Sequence, residues 1–296
     1  MTDIPLPTDP KAVPGAPTSV LNRRMPLSPP RERTTRKPSG LPSWPVLLLA
    51  GKQKAGKSFH AALAARSDLI GTTYWISFGE KDPDEYGALA DFEIVPHDGS
   101  IDDAREAIRW AAAQPRVDGK PNLIVLDTAT KLWDACKDLA TFIAAQPNRN
   151  KRDSAGNLIV PSDIWNRVNA KWDRIVDALR SNDGPVIVTS RMDTATVFKD
   201  GKPTQEKAEK IKGKAQLPYD VDAIIEMPER GKATLTGARS TILRLPERME
   251  LKDFDTTGVD GLWRSLGLAN TQTAPAVYSE AALADSDASE EGGGGR

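Results

Sequence analysis

Cysteine occurs once in the 296 residues, at Cys136, and histidine only at His60 and His97. One thiol excludes a disulfide framework and any cysteine-rich zinc or iron–sulfur centre. Two separated histidines with no cysteine beside them argue against a histidine-based metal site. Long apolar runs are missing too: the longest, Val46 to Ala50, falls far short of the ~20 residues that cross a bilayer. The opening MTDIPLPTDP lacks the charged start and apolar stretch of a signal peptide. Excess charge of either sign is absent, with 40 Lys and Arg against 41 Asp and Glu and a net charge of −1. That excludes a globally basic nucleic-acid binder and leaves only a local patch for such a partner. The expectation is a soluble protein of the cytoplasm with no membrane partner.

Proline is not scarce, but it is unevenly placed. Residues 1–43 hold ten prolines, few large apolar residues and no helical or alternating period. Such a segment cannot bury enough surface to offset its ordering entropy and reads as a disordered tail. Its second half carries Arg23, Arg24, Arg31, Arg33, Arg36 and Lys37 against the lone acid Glu32. A solubilising tail and an electrostatic arm for nucleic acid are both open readings. Residues 269–296 are small, polar and acidic, with Glu280, Asp285, Asp287, Glu290 and Glu291, and read as a second tail. Between the tails, residues 44–268 are long enough to bury more than about two-thirds of their unfolded surface as one domain.

That middle alternates short apolar runs with helical patterns. Val46–Ala50, Thr72–Phe78, Leu123–Asp127, Val186–Thr189 and Val221–Met227 read as strands. Most are apolar on successive residues, as in a parallel sheet covered on both faces. Helical patterns lie at Lys57–Arg66, Ile101–Ala113, Lys131–Ala145 and Asp163–Ser181. In the last, Ile164, Val168, Trp172, Ile175 and Leu179 form one core-facing stripe. Strands alternating with helices predict an α/β fold with a mostly parallel sheet flanked by helices. Gly231–Pro246 reads instead as a hairpin turning at Gly237, an antiparallel extension at the C-terminal end. Trp75, Trp110 and Trp172 sit in patterns that predict core packing.

The sharpest motif follows the first strand: Gly51-Lys52-Gln53-Lys54-Ala55-Gly56-Lys57-Ser58, then Phe59 and a strong helix former. This is G-x-x-x-x-G-K-[ST] in a strand–loop–helix context. Gly51 and Gly56 let the backbone curl so that successive N–H groups point at phosphate oxygens. The helix from Lys57 adds its positive end. Lys57 is placed to neutralise the β- and γ-phosphates and the Ser58 hydroxyl to ligate Mg²⁺. The segment is a nucleotide site.

Two carboxylates complete the expectation. Asp127 ends an apolar strand, as suits a residue that holds Mg²⁺ through water, although it is equally placed to cap the helix that follows. No Glu follows it, against the arrangement of AAA+ proteins and helicases. Glu80 follows the strand ending at Phe78 and emerges at the edge of the sheet where ligands bind. It reads as a base for an attacking water or as one surface acid among Asp82, Asp84 and Glu85.

WISFGEKDPDEYGALADFEIVPHDGSIDDAREAIRW followed by NLIVLDTATKL resembles the RecA-type P-loop ATPase core. The chain is similar in particular to short phage-encoded RecA-like proteins, a group of AAA ATPases and single-strand-annealing recombination ATPases. GPVIVTSRMD, a charged insertion and LPYDVDAIIEMPERGKATLTGARS follow in that group's order, so the likeness covers roughly residues 44–250. The resemblance implies ATP and Mg²⁺ as cofactors, Glu80 as water-activating base, and Ser58 and Asp127 as Mg²⁺ ligands. It implies Tyr86 near the base, although Tyr86 follows Glu80 one residue sooner than in the RecA pattern. A polar γ-phosphate sensor falls at Ser190, between Thr189 and Arg191, where the group commonly has Gln or His. It further implies that the insertion with Lys199, Lys202, Lys207, Lys210, Lys212 and Lys214 meets single-stranded DNA. Contacts of that kind would be to the backbone and salt-sensitive, since the insertion lacks stacking aromatics. A solvated hairpin with no ligand is the other reading. Sites of this kind are completed by a second copy, with Lys212, Lys214 and Arg239 as candidates to reach a neighbour's phosphates.

Three functions fit. The first is a DNA-stimulated, Mg²⁺-dependent ATPase that assembles on single-stranded DNA in recombination, annealing or replication. The second is a P-loop small-molecule kinase, and the third a nucleotide-gated DNA-binding protein without efficient hydrolysis.

Overall fold

Strands apolar on every residue must be covered on both faces, and the sheet of this chain is covered so. The computed structural model describes residues 35–199, 202–244, 248–269 and 272–275. The tail readings for residues 1–34 and 276–296, with the arginines up to Arg33 and the acids from Glu280, lie outside the described residues. So do the side chains of residues 197–199, Lys199 included. Met1–Ser39 forms a unit of its own, in which residues 35–39 carry no helix or strand. All elements below belong to Gly40–Arg296.

In chain order these are β1 (Val46–Gly51), α1 (Lys57–Ala64), β2 (Thr73–Ser77), β3 (Glu93–Ile94), α2 (Ile101–Ala112), β4 (Leu123–Asp127), α3 (Ala129–Ala144) and α4 (Ser162–Arg180). Then follow β5 (Val186–Lys199), β6 (Lys202–Lys212), α5 (Leu217–Asp220), β7 (Ala223–Glu229), β8 (Lys232–Ala238), β9 (Met249–Glu250) and α6 (Phe254–Ser265). The nine-stranded sheet runs β3-β2-β4-β5-β1-β7-β8-β9, with β6 attached to β5. Pairings from β3 to β7 are parallel, while β7-β8-β9 and β5-β6 are antiparallel. This is the predicted α/β class, a mostly parallel sheet with an antiparallel C-terminal extension.

Strand alternation divides the core in two. Leu48, Ala50, Ile76, Ile124 and Leu126 face α2, α3 and α4. Leu47, Leu49, Trp75, Leu123 and Val125 face α1 and α6. The α4 stripe is buried as expected, Trp172 being only 2% exposed. Burying each such large apolar side chain contributes about 1.5–3 kcal/mol.

Several expectations need correcting. Trp110 is 53% exposed, because the buried stripe of α2 consists of Ile101, Ala104, Ala107, Ile108 and Ala111 and leaves it on the outer side, edge-on to Tyr74. The hairpin does not turn at Gly237. Its arms are β7 and β8, and the chain reverses at Arg230 and Gly231, where φ of +79° suits glycine. Gly237 lies inside β8 opposite Ile224, at a bulge that leaves Thr236 between two paired residues. The expected strand Val186–Thr189 is only the start of β5, which continues into a two-stranded ribbon with β6. Helix α6 carries no clear sequence period, because Gly258 and Gly261 interrupt it, yet Phe254, Val259, Leu262 and Trp263 are buried.

Candidate functional site

The phosphate loop leaves the sheet between two parallel neighbours, β5 and β7. A Cβ on Gly51 would stand 2.8 Å from the Met227 carbonyl oxygen of β7, so glycine there answers close backbone approach. The adjoining Lys52 N–H donates to that same carbonyl at 3.1 Å. Gly56, with φ of +100°, makes the left-handed step that opens α1. Lys54 is also left-handed at φ 61°, and such alternation turns successive N–H groups into one concavity. Gln53 and Lys54 are exposed, Ala55 is buried, and Phe59 is half-buried edge-on to His60. Lys57 Nζ donates to the carbonyls of Gly51 at 3.1 Å and Lys52 at 2.9 Å, closing the loop over itself. Burial pushes the Lys57 ammonium below its ordinary pKa, and Asp127 opposes that shift.

Below the loop, Ser58 Oγ donates to Asp127 Oδ2 at 2.7 Å. Asp127 is buried, and its other oxygen accepts from the Thr189 hydroxyl. Desolvation pushes its carboxyl above the ordinary range, with the hydrogen bonds from Thr189 and Ser58 holding against it. The capping alternative for Asp127 falls away, because the side chain of Thr128 accepts from Thr130 N and caps α3. The Asp127–Thr128 peptide is cis. A hydroxyl and a carboxylate oxygen in contact are the hard oxygen donors Mg²⁺ takes, so this pair fits that ion.

Glu80 stays at the site. The pairing of β2 with β4 extends past their ends, with Phe78 N donating to Asp127 O at 2.7 Å. Glu80 follows at once, and its carboxylate accepts from the Arg191 guanidinium. Lys57 and Asp127 both feel its charge. Tyr86 lies in a short 3-10 turn, half-buried, and burial raises its phenol pKa, with the charges of Glu85 and Asp127 adding to the shift.

Ser190 does not face the cradle. Its buried hydroxyl lies 3.0 Å from Thr130 Oγ1 and donates to the Lys212 carbonyl at 2.9 Å, tying the base of the ribbon to α3. Side chains alternate along a strand, so Thr189 and Arg191 occupy the opposite face and meet Asp127 and Glu80. Sequence reasoning missed these two as site residues. The signal was the Thr-Ser-Arg that ends the apolar run, in a strand lying between the loop strand β1 and the Asp127 strand β4.

The lysine candidates divide. Lys202, Lys207, Lys210 and Lys212 are exposed on β6, with Lys212 Nζ 3.9 Å from Asp193. Lys214 is buried and its ammonium lies 2.5 Å from Asp173 of α4, so it is a structural cation rather than one offered to DNA or a neighbour. Arg239 is 85% exposed and 3.8 Å from Asp222. Glu209 of β6 reaches back to Lys52 of the phosphate loop at 2.6 Å. No helix among the described residues is long and apolar enough to cross a membrane.

A family model described as an AAA domain matches residues 45–253. No curated protein matches the chain. Solved structures with some likeness include an ATPase from the type III secretion system of pathogenic bacteria. It shares 15% identity at a TM-score of 0.38 over 62% of this chain and 50% of that one. The RadB recombinase shares 17% identity at a TM-score of 0.38 over 66% of this chain and 81% of that one. The chain thus spans about half the length of the secretion ATPase. Neither likeness is close enough to transfer the role of a residue.

Proposed function

The chain belongs to the AAA-domain family and is a P-loop NTPase, and from that premise we propose that it binds ATP with Mg²⁺ and hydrolyses it. The observation that carries this reading is the contact of Ser58 Oγ with Asp127 Oδ2 at 2.7 Å directly under the loop, with Glu80 held at the same sheet edge. Loop amides and the N-terminus of α1 receive the phosphates. Lys57 leaves the carbonyls of Gly51 and Lys52 for the β- and γ-phosphates. Ser58 and Asp127 are the residues that would hold Mg²⁺, which when bound neutralises charge developing on the phosphate oxygens. Glu80 accepts a proton from water as the water oxygen bonds to the γ-phosphorus and the bond to the β–γ bridging oxygen breaks, giving ADP and phosphate.

The finer reading is that turnover serves single-stranded DNA. Lys202, Lys207, Lys210 and Lys212 project from a ribbon whose base is joined to the site, and each phosphate they neutralise steepens the salt dependence. A homo-oligomer on DNA, with Arg239 or Lys212 reaching a neighbour's nucleotide, is part of the same proposal, as is a role in phage recombination, annealing or replication. The test is ATP turnover with and without an oligonucleotide for wild type, Lys57→Ala and Glu80→Gln. The expected result is oligonucleotide-stimulated turnover that both variants lose. Undiminished turnover in Lys57→Ala rejects the site, and indifference to the oligonucleotide rejects the DNA role. A nucleotide-gated binder without turnover is the second reading, favoured by one observation: Glu80 is occupied by Arg191.

A further inference from the structure

We infer that the open cleft between helix α2 and the outer strands β2 and β3 is a docking site for a protein partner, and that it takes an arginine of that partner together with an adjoining apolar side chain. The cleft shares no residue with the phosphate loop, Asp127 or Glu80, so the inference stands apart from the nucleotide reading.

Two periodicities build its walls. Along α2, Asp103, Glu106, Ala107 and Trp110 follow i, i+3, i+4 and i+7 spacing, which puts them on one helical face. Tyr74 of β2 and Glu93 and Ile94 of β3 form the facing wall. β3 is the outermost strand on its side of the sheet, so no further strand among the described residues covers the opening. Ala107 is short where its neighbours are long, which leaves room between Glu106 and Trp110. The space enclosed is about 610 Å³.

Aromatic and charged groups are both on offer there. Trp110 stands edge-on to half-buried Tyr74 with ring centroids 5.5 Å apart, and more than half of the indole is open to a ligand. An exposed tryptophan beside half-buried Tyr74 and Ile94 is the make-up of an interface anchor. Every charged residue that lines the cleft is an acid, namely Glu93, Asp103 and Glu106.

That charge selects the occupant. Three carboxylates repel phosphates, so a nucleic acid that suits the lysine ribbon does not suit this cleft. A guanidinium is drawn to the carboxylates, meets their oxygens with its planar fork and stacks on the indole. A lysine brings the charge without the fork. An apolar neighbour of the arginine covers Tyr74 and Ile94 and leaves water in doing so. The carboxylates are accessible to such a ligand. Asp103 uses Oδ2 to accept from the Asp98 N–H at 2.7 Å, which leaves its other oxygen. Glu106 pairs with Arg105 at 2.7 Å, an exposed contact that contributes little and can be exchanged.

The experiment measures fluorescence anisotropy of short labelled peptides that differ only in a central Arg, Lys, Gln or Glu between two leucines. They are titrated with the full chain as wild type, Trp110→Ala, Trp110→Phe and the double charge reversal Glu93→Lys with Glu106→Lys. Wild type is expected to bind the Arg peptide best, the Lys peptide several-fold more weakly, and the Gln and Glu peptides about tenfold or more weakly. Trp110→Ala loses about tenfold or more for the Arg peptide, the scale of an interface anchor, and Trp110→Phe keeps part of the affinity. The charge reversal inverts the order in favour of the Glu peptide, with ATP turnover and melting temperature as in wild type. That inversion is a result that a merely structural role of these acids does not give. Failure of wild type to bind the Arg peptide, equal binding of all four peptides, or undiminished binding by Trp110→Ala overturns the inference. Self-association of wild type that Trp110→Ala abolishes, with no Arg peptide bound, gives the cleft to a second copy and overturns it as well. If Trp110→Ala fails to fold, the charge reversal decides by the order of the peptides.

Discussion

The two halves of β5 are made of opposite materials. Val186, Ile187 and Val188 lie between β4 and β1, almost wholly buried, and any one of them could be named as core from composition alone. From Met192 onward the same strand pairs, among the described residues, only with β6, in a ribbon whose exposed faces carry Thr, Asp, Lys and Glu. Burial stabilises the first half, while backbone pairing and charge hold the second. The candidate site sits at the joint, where Thr189 is still buried and Arg191 is already half-open. A strand that stops being covered at that point can place a hydroxyl on a buried carboxylate and a guanidinium on an exposed one, two residues apart.

Substitutions sharpen that contrast in order of expected size. Lys57→Ala removes the ammonium that lies over the loop carbonyls and is expected to lower turnover by roughly 10²–10³, the scale of one charge-stabilising donor. A phosphate-release assay on the folded variant checks it. In the covered half of β5, Ile187→Ala should cost about 2–5 kcal/mol by leaving a cavity, read from urea unfolding. A loss under about 1 kcal/mol would show that the sheet centre is less tightly packed than its burial indicates. At the joint, Thr189→Val removes a hydroxyl from the Asp127 carboxylate while keeping the shape, for an expected cost of about 1–3 kcal/mol. On the ribbon, Lys210→Ala should change stability by less than about 0.5 kcal/mol. If the ribbon meets DNA, the same change lowers the salt slope of oligonucleotide binding by about one.

Asp127 gives a prediction in pH. Burial raises its folded-state pKa, so the folded chain holds that proton more tightly than the unfolded chain. Its stabilising share is complete below the unfolded value of about 3.9 and is lost as pH rises through the raised folded value. In metal-free buffer, Asp127→Asn should therefore gain in melting temperature relative to wild type between acid and neutral pH. A gap that is constant, or that narrows from an advantage at low pH, contradicts this.

What could be read from the sequence follows the same division. β1, β2, β4 and the start of β5 announce themselves because burial on both faces demands apolar residues in succession. Lys57 and Ser58 were legible because a phosphate loop fixes residue types at fixed spacing, and Asp127 because it is a carboxylate ending an apolar strand. The ribbon was not, since residues 191–199 and 202–212 form strands through pairing with each other rather than through an apolar pattern. Ser190 shows the sharpest failure. It was chosen by order along the chain, and in a strand neighbouring residues lie on opposite faces, so its hydroxyl turns to Thr130 and Lys212 instead. Only the register of β5 between β1 and β4 turns Thr189 and Arg191 toward the loop. Trp110 failed for a related reason, lying just outside the buried stripe of α2.

The central claim is that Glu80 primes water for a triphosphate held over Ser58 and Asp127. Single-turnover hydrolysis of bound ATP by Glu80→Gln tests it most directly. The account predicts that this variant retains ATP while cleaving it about 10²–10⁴-fold more slowly than wild type, the usual contribution of a positioned base. Cleavage of bound ATP at the wild-type rate would contradict it.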